Sequence, residues 1–302
     1  MPKTSQRPPL PENIKLEDIR EDITRQVRAA LEEDIGSGDV TAELIDADAT
    51  NDAYIITKED CTICGTAWVD ETFSQLGGLK RTTWHVKDGD KVTAGTRLVD
   101  FAGNSRRLLT GERTALNFLQ LLSGVATKSA EYADLVKDED VKILDTRKTI
   151  PGLRTAQKYA VAVGGCYNHR IGLFDRFLIK ENHIAACGGI EQAVLQARSQ
   201  RPNLLVEVEV ETIVEFEQAL LSGADIIMLD EFNEAMSRIV RSKLDQKVEP
   251  RPFIEISGNV NIHNLFVSEV EDFISVGALT KHVKAVDLSF RLSEGMKSLS
   301  IT

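Results

Sequence analysis

The hydrophobic positions of this chain change rhythm near residue 140. Before it, Leu16, Ile19, Ile23, Val27 and Leu31 recur at three- and four-residue spacing, which predicts an amphipathic helix ending near Asp34. Gly36-Ser37-Gly38-Asp39 breaks that pattern, and strand-like stretches follow at 53–57, 82–86 and 97–101. A turn at Asp88-Gly89 separates the last two, and a helix is expected over 66–76. A long helical run from 109 to 136 gathers Leu116, Leu119, Gln120 and Leu122 on one side. Gly124 within it predicts either a close approach of backbone or a break. These pieces make a small α+β unit, not an alternating one.

After Val141 apolar strands alternate with amphipathic helices. Strands are expected at 142–144, 177–179, 204–208, 225–229, 253–256 and 273–276, with helices between them, for example at 213–221 and 235–244. That alternation implies right-handed βαβ units and a parallel sheet. Six strands suit either a doubly wound sheet or an incomplete barrel. Asp145, Lys180, Glu209, Asp230, Ser257 and Gly277 fall at successive strand C-termini, which converge on one mouth only in a barrel. The barrel is therefore favoured. A further strand at 285–292 is expected to return to the first unit.

Composition narrows the function. With 302 residues, 42% hydrophobic and 27% charged, the chain is of ordinary globular type with room for two domains. No apolar run reaches 18 residues, so no transmembrane helix is expected; the polar, Pro-rich start lacks a signal-peptide core, which predicts a cytoplasmic protein. A net charge of −11 argues against nucleic acid or an anionic membrane as partner. It also makes a local cluster of cations informative.

Such a cluster exists. Asp145-Thr146-Arg147-Lys148-Thr149 is followed by Pro151-Gly152-Leu153-Arg154, Asn168-His169-Arg170 and Lys180-Glu181-Asn182-His183. Basic groups at two strand ends and the loop between them can meet one polyanion: arginine binds carboxylates in a fork, lysine as a mobile point charge. The competing reading is a solvated basic run with no shared target. In the alternating stretch 206–211, Glu207, Glu209 and Glu211 share one strand face and the valines take the other. Carboxylates inside a barrel need a hard cation such as Mg²⁺, sugar hydroxyls or opposing bases; for Glu207 an internal ion pair competes with those roles. Ser257-Gly258-Asn259 and Gly277-Ala278 each open an expected helix, leaving backbone N–H groups for a phosphate.

Other motifs carry less. Gly36-Ser37-Gly38-Asp39 follows a helix and lacks dinucleotide-fingerprint spacing. Cys61 and Cys64 form a CxxC without further zinc ligands, and reduced thiols in ordinary packing are expected. His85, His263 and His282 are singletons. Lys180 at a strand end admits a Schiff-base, aldolase-like barrel. Residues 86–95 resemble a lipoyl-type hairpin, but no lysine sits at a suitable tip.

Taken together, Glu112-Arg113 with Leu116-Asn117, the Asp145–Thr149 run with Pro151-Gly-Leu-Arg154, Asn168-His169-Arg170, Lys180–His183, Glu209, Leu229-Asp230 and Ser257-Gly258-Asn259 resemble the quinolinate phosphoribosyltransferases. The likeness runs from Glu33-Asp34 to Val286–Ser289. It implies an N-terminal α/β sandwich (1–125, with 285–302) and an incomplete α/β barrel (126–284) in a homodimer. It further implies transfer of phosphoribose from phosphoribosyl pyrophosphate to quinolinate, yielding nicotinate mononucleotide, CO₂ and pyrophosphate for NAD synthesis. By the same likeness Arg113 enters the partner's site, and Arg147, His169, Arg170 and Lys180 hold the two carboxylates. Thr146 joins this substrate set; Lys148, Glu209 and Asp230 meet phosphoribosyl pyrophosphate and its Mg²⁺. Ser257, Gly258, Asn259, Val276, Gly277 and Ala278 cradle phosphate. The chain departs from the pattern at Cys166, where Gly is common, at Glu231, where Asn often follows the Asp, and at Lys281, where some members have His.

Overall fold

The computed structural model describes residues 12–245, 250–258, 260–265, 267 and 270–293. The chain divides into two compact units. One gathers residues 14–131, 150–165 and the chain from 283 onward; the other gathers the remainder.

The first unit contains α1 (Arg20–Ile35), β1 (Thr50–Thr57), β2 (Cys61–Thr62), α2 (Thr66–Gln75), β3 (Arg81–Trp84), β4 (Lys91–Val92), β5 (Arg97–Asn104), most of α3 (Ser105–Leu135) and α4 (Arg154–Val163). An antiparallel sheet has the order Leu288–Leu292, β1, β5, β3. The expected late strand thus pairs with β1, placing Phe290 opposite Ile55. Ala53, Ile55 and Thr57 alternate into the core, the period-2 signature of a half-buried strand. Ile55, Val99 and Phe101 of the sheet pack with Val69 and Phe73 of α2 and Leu108, Leu116 and Leu119 of α3. This is a two-layer α/β sandwich.

One expectation is resolved here. The helix through Gly124 does not break; a Cβ on Gly124 would stand 2.2 Å from the Lys284 carbonyl oxygen, so glycine admits a crossing backbone. The Val286 amide donates to the Gln120 carbonyl at 3.0 Å beside it. The stretch 149–166 contains α4, whose residues Ala156 to Val161 are buried. Tyr159 stacks at a tilt on Trp68, 5.8 Å between centroids, and its hydroxyl donates to Asp88 at 3.0 Å. Gln26 donates to the Gly152 carbonyl at 3.0 Å. An Ala-rich helix with a buried face was hidden between its flanking glycines.

The second unit contains β6 (Lys142–Leu144), β7 (Phe177–Ile179), α5 (Glu181–Cys187), α6 (Ile190–Gln200), β8 (Val206–Val210), α7 (Ile213–Leu221), β9 (Ile226–Asp230), α8 (Glu234–Leu244), β10 (Phe253–Ser257), β11 (Phe273–Ser275) and α9 (Ala278–Lys281). Its sheet runs β6-β11-β10-β9-β8-β7, with every pair parallel. Tyr167 extends the β6 edge, accepting from the Asp145 amide at 2.9 Å and donating to the Ile143 carbonyl at 2.8 Å. From Tyr167 through β7, β8, β9, β10 and β11 back to β6, spatial order is chain order. That is the circular order of a barrel, interrupted among the described residues between Tyr167 and β7. A doubly wound sheet would reverse direction at a switch point. Val206, Val208 and Val210 of β8 pack outward with Phe216, Ala219 and Val240 of the helices, leaving Glu207 fully buried on the inner face. No helix among the described residues is long and apolar enough to cross a membrane.

Gly124→Ala is expected to destabilise the first unit by about 2–3 kcal/mol through overpacking against fixed backbone. Thermal denaturation checks this; an unchanged Tm would mean that the Lys284 segment yields freely.

Candidate active site

The strand C-termini of the second unit surround a cavity of about 300 Å³. Thr146, Arg147 and Lys148 line one side, following β6; His169 and Arg170 line the next. Lys180, Glu209, Ser257 and Ser275, from the ends of β7, β8, β10 and β11, complete its polar wall, with Leu178 and Met228 as apolar lining.

The charges in this wall are unbalanced. Lys180 Nζ pairs with Glu209 Oε2 at 2.5 Å. Arg147, Lys148 and Arg170 form no ion pair among the described residues, and Arg147 Nε is buried without a hydrogen bond. Burial and the facing Arg147 press the Arg170 guanidinium below its usual range, against the weaker pull of Glu207 and Asp175. Like charges held together in a protein of net charge −11 need an anion to offset them.

Local hydrogen bonds set the wall's shape. Asp145 is buried and accepts from the His169 amide at 2.9 Å and from Asn168 Nδ2 at 2.7 Å, so it braces the turn rather than facing the cavity. Thr146 Oγ1 accepts from the Lys148 amide at 3.1 Å, and Thr280 Oγ1 donates to the Lys148 carbonyl at 2.9 Å. A Cβ on Gly277 would lie 3.1 Å from Lys148 Cδ, so Gly277 leaves room for the lysine stem.

A closed polar network lies beneath. His169 Nε2 stands 3.2 Å from Glu207 and 3.5 Å from Glu255 Oε1. Arg176 Nη1 donates to Glu207 at 3.2 Å, and the Ser275 hydroxyl donates to Glu255 Oε1. The Arg170 amide donates to His169 Nδ1 at 2.7 Å, so Nε2 carries the ring proton and faces the carboxylates. Burial opposes a charge on His169, but Glu207 and Glu255 outweigh it and would lift the ring to about 9. The amide at Nδ1 opposes that second proton and is the stronger constraint, since two N–H donors cannot share 2.7 Å. His169, Glu207 and Glu255 have metal-ligand chemistry, yet Arg176 already supplies the cation there. Glu207 thus follows the ion-pair reading. Arg176, Glu255 and Ser275 were not singled out in the sequence; the readable signal was one glutamate alternating with isoleucines in 253–257.

Asp230 ends β9 in register with Ser257. Ser257 and Gly258 line a neighbouring cleft of about 1060 Å³ with Glu231, Asn233 and Arg238. Asn259 lies outside the described residues. No helix follows it over residues 260–265, contrary to expectation, because those residues form a turn. The Val276 amide donates to the Leu144 carbonyl at 2.8 Å and is committed to the sheet. Ala278 opens the single turn of α9. Arg113 is exposed on α3 in the first unit. Cys61 and Cys64 are buried, and burial raises both thiols, as ordinary packing requires. Cys166 is likewise buried, its thiol pushed up to about 12 by desolvation.

Comparison with known proteins decides the family. Residues 39–123 and 125–291 match the N-terminal and C-terminal domains of quinolinate phosphoribosyl transferase. The chain belongs to the quinolinate phosphoribosyl transferase family. It is 39% identical over 270 residues to a probable carboxylating nicotinate-nucleotide pyrophosphorylase of Bacillus subtilis, covering 88% of this chain and 92% of that protein. It is 36% identical over 286 residues to the Mycobacterium leprae carboxylating nicotinate-nucleotide pyrophosphorylase, covering 92% and 100%. Among solved structures, the nicotinate-nucleotide pyrophosphorylase from Francisella tularensis superposes with a TM-score of 0.84 at 43% identity, covering 96% of this chain and 100% of that one.

In this chain Glu231 is the one non-glycine residue at positive φ among those described, at 54°. Asparagine tolerates that left-handed conformation better than glutamate. Gly258 accommodates the kink, since a Cβ there would meet the Glu231 nitrogen at 2.8 Å. Glu231→Asn is expected to stabilise the chain by about 1 kcal/mol, seen as a Tm gain of roughly 2–4 °C; a lower Tm would show that the glutamate side chain contributes more than its backbone strain costs.

Proposed function

We propose that the chain transfers the phosphoribosyl group of phosphoribosyl pyrophosphate to quinolinate in the 300 Å³ cavity, forming nicotinate mononucleotide, CO₂ and pyrophosphate. The observation that carries this reading is the set of cations without carboxylate partners, Arg147, Lys148 and Arg170, at the barrel mouth of a chain in this family. Arg147, Arg170 and Lys180 meet the two carboxylates of the pyridine, with the His169 ring packed under them. Lys148, against Gly277, meets the pyrophosphate, and Ser257 and Gly258 carry the phosphate end toward the adjoining cleft.

The chemistry follows from holding two reactants in line. The ring nitrogen attacks C1 of the ribose as pyrophosphate departs, and Glu209 and Asp230 stabilise the positive charge growing on the sugar. The product is a pyridinium; when its 2-carboxylate leaves as CO₂ the bonding pair stays on C2 as an ylide stabilised by the adjacent positive nitrogen, and a proton from solvent at C2 completes nicotinate mononucleotide. Oxygen donors suit Mg²⁺, and carboxylates crowd this rim: Glu181 first, then Glu215, Asp230 and Glu209, raise the Glu211 carboxyl. Glu209 and Asp230 would hold the ion, which supplies charge neutralisation to the pyrophosphate. The Schiff-base reading is disfavoured because Lys180 is ion-paired rather than a free amine.

A cytoplasmic homodimer completes the reading: Arg113 is exposed on α3 and would serve the partner's cavity. The decisive assay follows nicotinate mononucleotide and CO₂ from quinolinate with phosphoribosyl pyrophosphate and Mg²⁺, with nicotinate as control. Turnover with quinolinate alone is expected, and Arg147→Ala should lower kcat/KM by about 10²–10³-fold with the fold intact; near-normal activity would sink the pocket. Arg113→Ala and Lys148→Ala proteins, each inactive, should regain part of the activity when mixed. No recovery after demonstrated subunit exchange would exclude a shared site.

A further inference from the structure

We infer that Glu255 is a positioning residue for the dicarboxylate substrate, acting through His169 on Arg170; this rests on the cavity being the quinolinate site. Glu255 is fully buried and does not line the cavity, yet its Oε1 touches two side chains that do. One is Ser275 of β11, which donates its hydroxyl to that oxygen; the other is His169, whose Nε2 stands 3.5 Å away. The chain of contacts continues upward. His169 Nδ1 accepts the Arg170 amide at 2.7 Å, so the ring bolts the backbone of a clamp residue to the barrel interior.

The neighbouring charges divide the labour between the two buried carboxylates. Glu207 on β8 is claimed by Arg176, which precedes β7, whereas among the described residues Glu255 on β10 pairs with no arginine or lysine and, of the basic groups, meets only the histidine ring. Its second oxygen is buried with no hydrogen bond. Burial and nearby Glu207 hold its carboxyl above the usual range. Glu255 therefore serves as a hydrogen-bonding strut, a job that an amide of the same shape can do.

The test measures both substrates. Glu255→Leu should raise KM for quinolinate on the order of tenfold, the loss of one buried hydrogen bond, with kcat and KM for phosphoribosyl pyrophosphate within about twofold of wild type. Glu255→Gln should restore KM to within about threefold. Ser275→Ala removes the hydroxyl that holds the same carboxylate oxygen and should raise the quinolinate KM in the same direction by less than the leucine variant; Glu255→Ala reads the same link if the leucine variant does not fold. Unchanged quinolinate KM in the folded variants, equal shifts for both substrates, or failure of glutamine to rescue would each overturn the positioning role. Absence of quinolinate turnover in the wild type would instead overturn the site reading beneath it.

Discussion

The second unit depends on one costly arrangement: two carboxylates, Glu207 and Glu255, buried at the axis of a barrel whose interior is normally filled by branched apolar side chains. Desolvation alone would raise Glu207, yet hydrogen bonds from His169 and Arg176, with the Arg176 charge, overcome it and hold the carboxyl below its usual range. An isolated buried carboxylate costs several kcal/mol, so each partner is obligatory once the charge is inside. The two partners come from the 167–176 segment, beside the gap in the barrel. The network therefore ties that segment to β8 and β10 where no strand ladder does. It also gives the cavity a floor whose arginine is already ion-paired, so the cations above it remain available to a ligand.

The first unit solves a different problem with apolar contact. Its sheet needs helices on one face, and α2 and α3 supply them. Gly124 then lets the returning chain at Lys284 lie against α3, bringing Leu288–Leu292 onto the edge of β1. Asp88 adds a polar anchor, accepting from the Gly65 and Thr66 amides at the start of α2 and from Tyr159 of α4. Helix α4 is held there by the contact of Tyr159 with Trp68 and by its hydroxyl on Asp88.

The alternating half was legible because the physical signal is local: apolar runs of strand length separated by amphipathic helices, each ending in a polar residue. Strand boundaries shifted by two residues at β8, where the run begins in Leu204-Leu205 but pairing starts at Val206. Helix α4 was not legible, since its buried face includes Gln157 and Lys158, which read as solvent-facing. The chain order of the strands was readable; the gap after Tyr167 was not, because a single bridging residue leaves no periodicity.

The glutamates of β8 show why site residues were only partly readable. Glu207, Glu209 and Glu211 share one strand face, and the sequence offers no means of ranking them. Depth along the barrel does. Glu207 lies fully inside, held ionised by an arginine and a histidine; Glu209 sits at the mouth against Lys180; Glu211 is exposed, where neighbouring carboxylates push its carboxyl up. About 7 Å of rise per pair of residues carries a carboxylate from the interior to solvent. Residues that face the anion announce themselves by charge at strand ends. Those that support them, such as Glu255 between two isoleucines, announce themselves by being charged where the pattern requires an apolar residue.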